Sequence, residues 1–209
     1  MFVKICGVKT VEAAQIAADA GTDFIGFIFA ESSRKIEPEE ARAIAKELPR
    51  HIKKVGVFSN QSEADIIRTA ALAGLDYIQL HGQESAELAS RMPLPVIKAF
   101  SIESSADFTK LVNYPADYYL VDLPKNPKSA ERAKTLDWNA LAAASLPFEK
   151  IILAGGLTAD NVAEAIQVVK PFGVDVASGV ETDGVKDEQK MRAFVLQAKQ
   201  STTETRNEQ

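Results

Sequence analysis

The sequence predicts a single-domain α/β protein, a (β/α)8 barrel, and three observations carry that expectation. Short runs rich in Val, Ile, Phe and Leu recur eight times, at residues 2–6, 24–29, 54–58, 77–80, 95–100, 118–122, 150–154 and 174–177. Most are apolar nearly throughout rather than alternating, which is how parallel strands read when helices cover their outer face. The stretches between them have helical spacing, and none carries a long insertion. Repeated strand–helix units with right-handed crossovers leave an open doubly wound sheet or a closed barrel, and eight even units favour closure.

The helices follow from their punctuation. Thr10 is placed to cap a helix over 11–20, and Pro38 sits in the first turn of one running through 39–47, where a missing N–H costs nothing. Ser62 caps 63–73, and Thr158 or Asp160 opens a helix that runs through Val169. Asp187 starts the last helix, in which Met191, Phe194, Val195 and Ala198 share one face. Shorter helices are expected near 84–90, 107–113 and 139–144. The barrel is expected over residues 1–200, and the wholly polar residues 201–209 form a frayed tail.

Whole-chain chemistry narrows the function. The formal charge of −5 gives 209 residues no global attraction to nucleic acid. The one cysteine, Cys6, excludes an internal disulfide and a thiolate zinc cage. With His51 and His81 as the only histidines, no His-rich metal centre is expected. The opening apolar run is too short for a signal peptide, and no stretch approaches the roughly 20 apolar residues of a membrane helix. A cytoplasmic protein with no membrane partner is expected, and its surface suits a monomer or a homodimer.

In a closed barrel alternate strand residues point inward, and ligands sit where the strands end. Lys4 with Cys6, Gln79 with His81, Lys98 with Phe100, Leu120 with Asp122, and Asp175 with Ala177 would share the inward side. Their aliphatic neighbours Val3, Ile5, Ile78, Leu80, Ile97, Val121 and Val176 would face the helices. After the seventh run comes Ala154-Gly-Gly-Leu-Thr158, and after the eighth Ala177-Ser-Gly-Val-Glu181. Glycines let main-chain N–H groups approach an anion, and paired turns on the last two strands of a barrel form a phosphate site. Gly155, Gly156, Ser178 and Gly179 are its candidates.

Cys6 ends the first strand, where two readings stand: a small buried apolar residue, or a thiolate supported by Lys4 and the following helix start. Asp122 closes the sixth strand with Leu123-Pro124 after it, so it caps no helix and suits a general acid or base. His81 either orients substrate or satisfies a buried backbone group. Arg34, in the loop after the second strand, is either a carboxylate binder or a solvated charge.

Lys4-Ile-Cys-Gly, Gly26-Phe-Ile-Phe-Ala-Glu-Ser-Ser-Arg, Val55-Gly-Val-Phe and Ile78-Gln-Leu-His-Gly together resemble phosphoribosylanthranilate isomerases. So do Lys134-Thr-Leu-Asp-Trp138, Leu153-Ala-Gly-Gly-Leu and Val174-Asp-Val-Ala-Ser-Gly-Val-Glu, in order over essentially the whole chain. The resemblance implies an Amadori rearrangement of a phosphorylated small molecule in tryptophan biosynthesis, with no metal or redox cofactor in any step. It makes Asp122 the acid that opens the furanose ring and Cys6 the base that takes the C2 proton. It assigns Arg34 to the anthranilate carboxylate, gives Lys4, Gln79 and His81 to substrate, and gives the phosphate to the four turn residues. Asp122 must begin protonated and Cys6 must lose its proton, the reverse of their ordinary preferences at neutral pH. Burial is expected to favour the neutral carboxyl, and Lys4 with the helix end the thiolate.

One stretch departs from the family's pattern. Relatives carry a glycine-rich run directly before Lys-Thr-Phe-Asp-Trp, whereas residues 130–133 here read Ala-Glu-Arg-Ala and Leu136 replaces the phenylalanine. A lid without glycine hinges closes less readily, and Glu131 brings negative charge towards a phosphorylated ligand, with Arg132 beside it to offset that charge. Replacing residues 130–133 with glycine-rich sequence is therefore expected to raise turnover in a steady-state assay. An unchanged kcat would remove the penalty.

Overall fold

The computed structural model describes residues 1–102, 111–122 and 138–204, with the side chains of 202–204 left aside. Among these residues the chain runs β1 (Phe2–Cys6), α1 (Val11–Asp19), β2 (Phe24–Ile28), α2 (Pro38–Glu47), β3 (Lys53–Phe58), α3 (Glu63–Ala73), β4 (Tyr77–Leu80) and α4 (Ala86–Ser90). It continues through β5 (Val96–Ser101), β6 (Tyr118–Asp122), α5 (Trp138–Ala142), β7 (Ile151–Leu153), α6 (Val162–Val169), β8 (Gly173–Val176), a small hairpin of β9 (Glu181–Thr182) and β10 (Val185–Lys186), and α7 (Glu188–Glu204). Strands β1 to β8 pair in sequence order and close, forming a parallel TIM barrel. Closure sets Lys4 opposite Asp175 where β1 meets β8.

Thr10 Oγ1 accepts from Ala13 N at 3.1 Å and Ser62 Oγ from Asp65 N at 3.1 Å, so both expected caps are made. Pro38 opens α2. Ser85 caps the shorter α4, accepting from Leu88 N at 3.2 Å. The helix expected over 107–113 lies mostly outside the described residues. α6 starts later than expected, because Asn161 Oδ1 accepts from Thr158 N at 2.8 Å and holds Thr158 in the preceding turn. The last helix also outruns the expected tail. Ser201 is buried with its hydroxyl on the Gln197 carbonyl at 2.7 Å, and the helix continues to Glu204. Its apolar face anchors it, since Met191, Phe194, Val195 and Ala198 are all 0–1% exposed.

Two apolar cores result. The larger lies between barrel and helices and includes Val3, Ile5, Ile78, Leu80, Val121 and Val176, on the outward side expected of them, together with Val174. The smaller fills the barrel with Phe24, Val55, Ile97, Ala99, Leu120, Ile152 and Ala154. Here β5 reverses the expected parity: Ile97 and Ala99 point inward, and Phe100 lies outside, against Tyr114 at 5.8 Å. Lys98 therefore sits among the outer layer, where a β4 loop supplies the polar partners its charge needs.

The floor of the barrel is a closed ring of aromatic side chains. Phe2 meets Phe24 at 5.4 Å, Phe24 meets Tyr77 at 5.4 Å, Tyr77 meets Tyr118 at 6.2 Å, Tyr118 meets Phe172 at 4.7 Å, and Phe172 returns to Phe2 at 4.5 Å. Just outside it, a repeated aspartate ties β1 to β2, β3 to β4 and β5 to β6. Asp23, Asp76 and Asp117, each directly before an even strand, accept from the N–H of Val3, Lys54 and Val96, all at 2.8 Å. These ends lie opposite the rim where barrel ligands bind, so their work is stability. Asp117→Ala strands the Val96 N–H and is expected to lower unfolding free energy by about 1–3 kcal/mol, read by urea denaturation, with Asp117→Asn less affected. A comparable drop in kcat of the folded Asp117→Ala protein would contradict that division of labour.

Candidate active site

The centre of the rim is built on β1 and β8. Lys4 Nζ lies 2.9 Å from Asp175 Oδ1, with side chains 1% and 10% exposed. At that separation an effective dielectric of about 20 gives an attraction of about 6 kcal/mol, comparable to the several kcal/mol each buried ion loses in leaving water. The pair thus adds little net stability but fixes a charge beneath Cys6. Burial alone would pull the Lys4 ammonium down, yet Asp175 and Cys6 hold it above its ordinary value, so Lys4 stays protonated. Gly26 makes the room: a Cβ there would stand 2.8 Å from Cys6 Sγ and 3.1 Å from Lys4 Nζ.

The thiol behaves differently from the expectation. Burial pushes Cys6 above its ordinary value, Lys4 and Lys186 only partly offset this, and the Asp175 carboxylate reinforces it. Lys4 is shared with Asp175, so the thiol form wins. The burial invoked for Asp122 is also absent, since its side chain is 30% exposed at the mouth of the barrel. Its neighbour is His81, whose Nε2 lies 3.7 Å from Asp122 Oδ2. Gln79 Nε2 stands 3.0 Å from His81 Nδ1 and steadies the ring from inside the barrel. Cys6 and Asp122 end β1 and β6 on inward positions, separated the short way round by β7 and β8.

Arg34 is held, not solvated. Its Nε and Nη2 donate to Glu181 Oε1 and Oε2 at 2.7 and 2.5 Å, a two-pronged grip. The stem crosses Gly7 so closely that a Cβ there would stand 2.6 Å from Arg34 Cδ. Lys186 Nζ donates to Glu181 Oε1 at 2.7 Å and to the Ala177 carbonyl at 2.8 Å, tying this group to the turn after β8. Burial would raise the Glu181 carboxyl, but Arg34 and Lys186 together hold it below its ordinary value. Lys186 carries no motif of its own, and Glu181 enters only as the last residue of Val174-Asp-Val-Ala-Ser-Gly-Val-Glu, just past the second glycine turn.

The two glycine turns touch. Gly155 and Gly156 take φ of +90° and +65°, which side chains rarely tolerate. A Cβ on Gly179 would fall 1.9 Å from the Leu157 carbonyl oxygen, so the turn after β8 rests directly on the turn after β7. Asn161 Nδ2 donates to the Gly156 carbonyl at 3.0 Å and fixes the first turn from behind, a role its position after Thr158 did not reveal. Ser178 opens a short 3-10 turn over Ser178–Val180. Residues 130–133 and the 134–137 part of the motif ending at Trp138 lie outside the described residues.

A closed parallel barrel with glycine turns touching at the C-terminal ends of its last two strands has the architecture of the barrel enzymes that act at this rim. The family model of N-(5'-phosphoribosyl)anthranilate (PRA) isomerase matches residues 3–197. An N-(5'-phosphoribosyl)anthranilate isomerase of Listeria monocytogenes is 45% identical over 201 residues, covering 95% of this chain and 98% of its own. Phosphoribosyl anthranilate isomerase of Thermotoga maritima superposes with a TM-score of 0.87 at 38% identity, over 96% of this chain and 99% of that one. A solved phosphoribosyl anthranilate isomerase in complex with reduced 1-(o-carboxyphenylamino)-1-deoxyribulose 5-phosphate gives 0.84 at 36% identity, with the same coverage. The chain belongs to the phosphoribosylanthranilate isomerase family. Among the described residues no helix is long and apolar enough to cross a membrane.

The charge arrangement around the thiol has a direct readout, because Cys6 is the only cysteine. The ultraviolet absorbance of its thiolate is expected to grow in only above the ordinary thiol value of 9.0. Asp175→Asn is expected to bring the midpoint down, since it removes a repelling carboxylate and frees Lys4. A midpoint below neutrality in the unliganded protein would contradict this account.

Proposed function

We propose that this protein converts N-(5-phosphoribosyl)anthranilate into 1-(2-carboxyphenylamino)-1-deoxyribulose 5-phosphate, with Asp122 as general acid and Cys6 as general base. The observation that carries the reading is the convergence of Cys6, Asp122 and both glycine turns on one rim of a closed barrel. Asp122 gives its proton to the furanose oxygen as the C1–O bond breaks, and the anthranilate nitrogen lone pair closes a Schiff base. The Cys6 thiolate then takes the C2 proton, and those electrons form the C1–C2 double bond of an enolamine. Loss of the enol proton with protonation at C1 yields the ketone, so no atom is gained or lost.

The surroundings of the binding groups fit their parts, while Cys6 must lose a proton that burial favours keeping. Arg34 keeps Nη1 outside its two bonds to Glu181, so one arm of the fork can take the anthranilate carboxylate. Gly155, Gly156, Ser178 and Gly179 offer main-chain N–H groups to the phosphate, and Lys186 adds positive charge beside Ala177. Gln79 and Lys4 act at one remove, through His81 and Cys6 respectively. Because Cys6 rests as a thiol, the active fraction grows as pH rises until Cys6 is deprotonated. Every one of these groups comes from one barrel, which suits either a monomer or a homodimer.

The test is turnover of freshly prepared phosphoribosylanthranilate, followed by fluorescence. Wild-type protein is expected to turn over, and Cys6→Ala and Asp122→Ala each to lose on the order of 10²-fold or more in kcat. Binding without turnover in the wild type would replace the enzyme by a phosphosugar sensor. Full activity in Cys6→Ala would dismiss the thiol as base.

A further inference from the structure

We propose that the buried Lys98–Glu84 ion pair on the outer face of the barrel is a positioning device for His81, setting that ring against Asp122. The inference rests on the reading above, in which Asp122 is the acid and His81 faces the substrate. Its ground is the fate of the Lys98 ammonium. Lys98 leaves the barrel on the helix side, 4% exposed, and a buried ammonium has three N–H bonds to satisfy. They go to the Leu80 carbonyl at 3.3 Å, the Gly82 carbonyl at 2.6 Å and Glu84 Oε2 at 2.7 Å. Leu80 and Gly82 are the two neighbours of His81 in the chain.

Glu84 completes the grip from the other side. Its Oε1 accepts from Asn60 N at 2.9 Å and Gly82 N at 3.1 Å, and its Oε2 from Gly82 N at 3.0 Å. Asn60 Oδ1 accepts from Gln83 N at 2.7 Å, and a Cβ on Gly82 would stand 2.5 Å from that same oxygen. The Tyr114 hydroxyl donates to the carbonyls of Glu84 and Ser85, both at 3.1 Å, and its ring lies under the Lys98 ammonium at 5.6 Å. The His81 N–H itself bonds the Phe58 carbonyl at 2.8 Å. The backbone on both sides of His81 is thus pinned to β3, β5 and the segment before β6.

Stability alone does not account for this. A buried ion pair is about neutral against a well-packed apolar pair, so an all-apolar outer layer would hold the barrel equally well. An ion pair spent on the carbonyls flanking His81 fixes where the ring points. The ring meets Asp122 only at 3.7 Å, and a displacement of about 1 Å at such a site can cost up to about 10²-fold in rate.

The test is a mutant cycle read in kcat and KM, on protein verified as folded by circular dichroism and assayed well below its melting transition. Lys98→Met is expected to lower kcat about tenfold with KM within about twofold. Glu84→Gln keeps the backbone acceptors and loses a few-fold, and it carries the cycle if Lys98→Met does not fold. In a His81→Ala background either substitution is expected to cost less than about twofold, because its target is gone. The same fractional loss in both backgrounds, or no loss in the wild-type background, would overturn the proposal. Inactive Cys6→Ala and Asp122→Ala beside a fully active His81→Ala would overturn it and leave the site reading standing. Active Cys6→Ala and Asp122→Ala proteins would take both down.

Discussion

The pairing of β1 with β8 is the constraint on which the site depends. It brings Lys4 against Asp175 across 171 residues of chain and closes the barrel around both. Without closure, Cys6 would end an edge strand with no opposite wall. With it, the thiol faces a rim whose far side carries Asp122 and whose near side carries the glycine turns. The aromatic floor and the aspartate clasps hold the opposite end of the strands, so the rim can carry strained glycines and buried charge without carrying the fold.

Charge at this rim is arranged in chains rather than isolated pairs. Asp175 holds Lys4, which partly supports the thiolate; Glu181 holds both Arg34 and Lys186, which lean on Cys6 from the other side. Cations around Cys6 are thus already committed to carboxylates, and burial keeps the proton on sulfur. In the proposed reaction the substrate phosphate and carboxylate engage two of these cations, Lys186 and Arg34. Under the proposed roles, Cys6 works among charges fixed in advance, the condition for electrostatic preorganisation.

The strands were legible because parallel strands packed on both faces are apolar nearly throughout, and no strand bound moves by more than one residue between expectation and structure. Inward placement of Lys4, Cys6, Gln79, His81 and Asp122 was legible too, since their aliphatic neighbours had to face the helices. Strand β5 was misread for the same reason: Lys98 is polar and so was sent inward, whereas its partners, Glu84 and two carbonyls, form a pocket outside. Sequence could not pair Arg34 with Glu181 at a separation of 147 residues, nor show that Gly26 exists to make room for Cys6. The sense of the thiol's shift was likewise beyond it, because burial competes with Lys4 and only coordinates reveal that Asp175 already claims that lysine. The start of α6 depended on Asn161 folding back on Thr158, a contact too local for periodicity to register.

The most direct measurement is a crystal structure of this protein with a reduced, non-reacting analogue of the product amino-sugar phosphate. The account predicts the sugar carbons between Cys6 Sγ on one side and the Asp122 carboxyl on the other, each within about 3–3.5 Å of the atom it serves. It also predicts the phosphate against the N–H groups of the two glycine turns and the aryl carboxylate on Arg34. An analogue lying with Cys6 and Asp122 on the same side, or with its phosphate away from those turns, would contradict it.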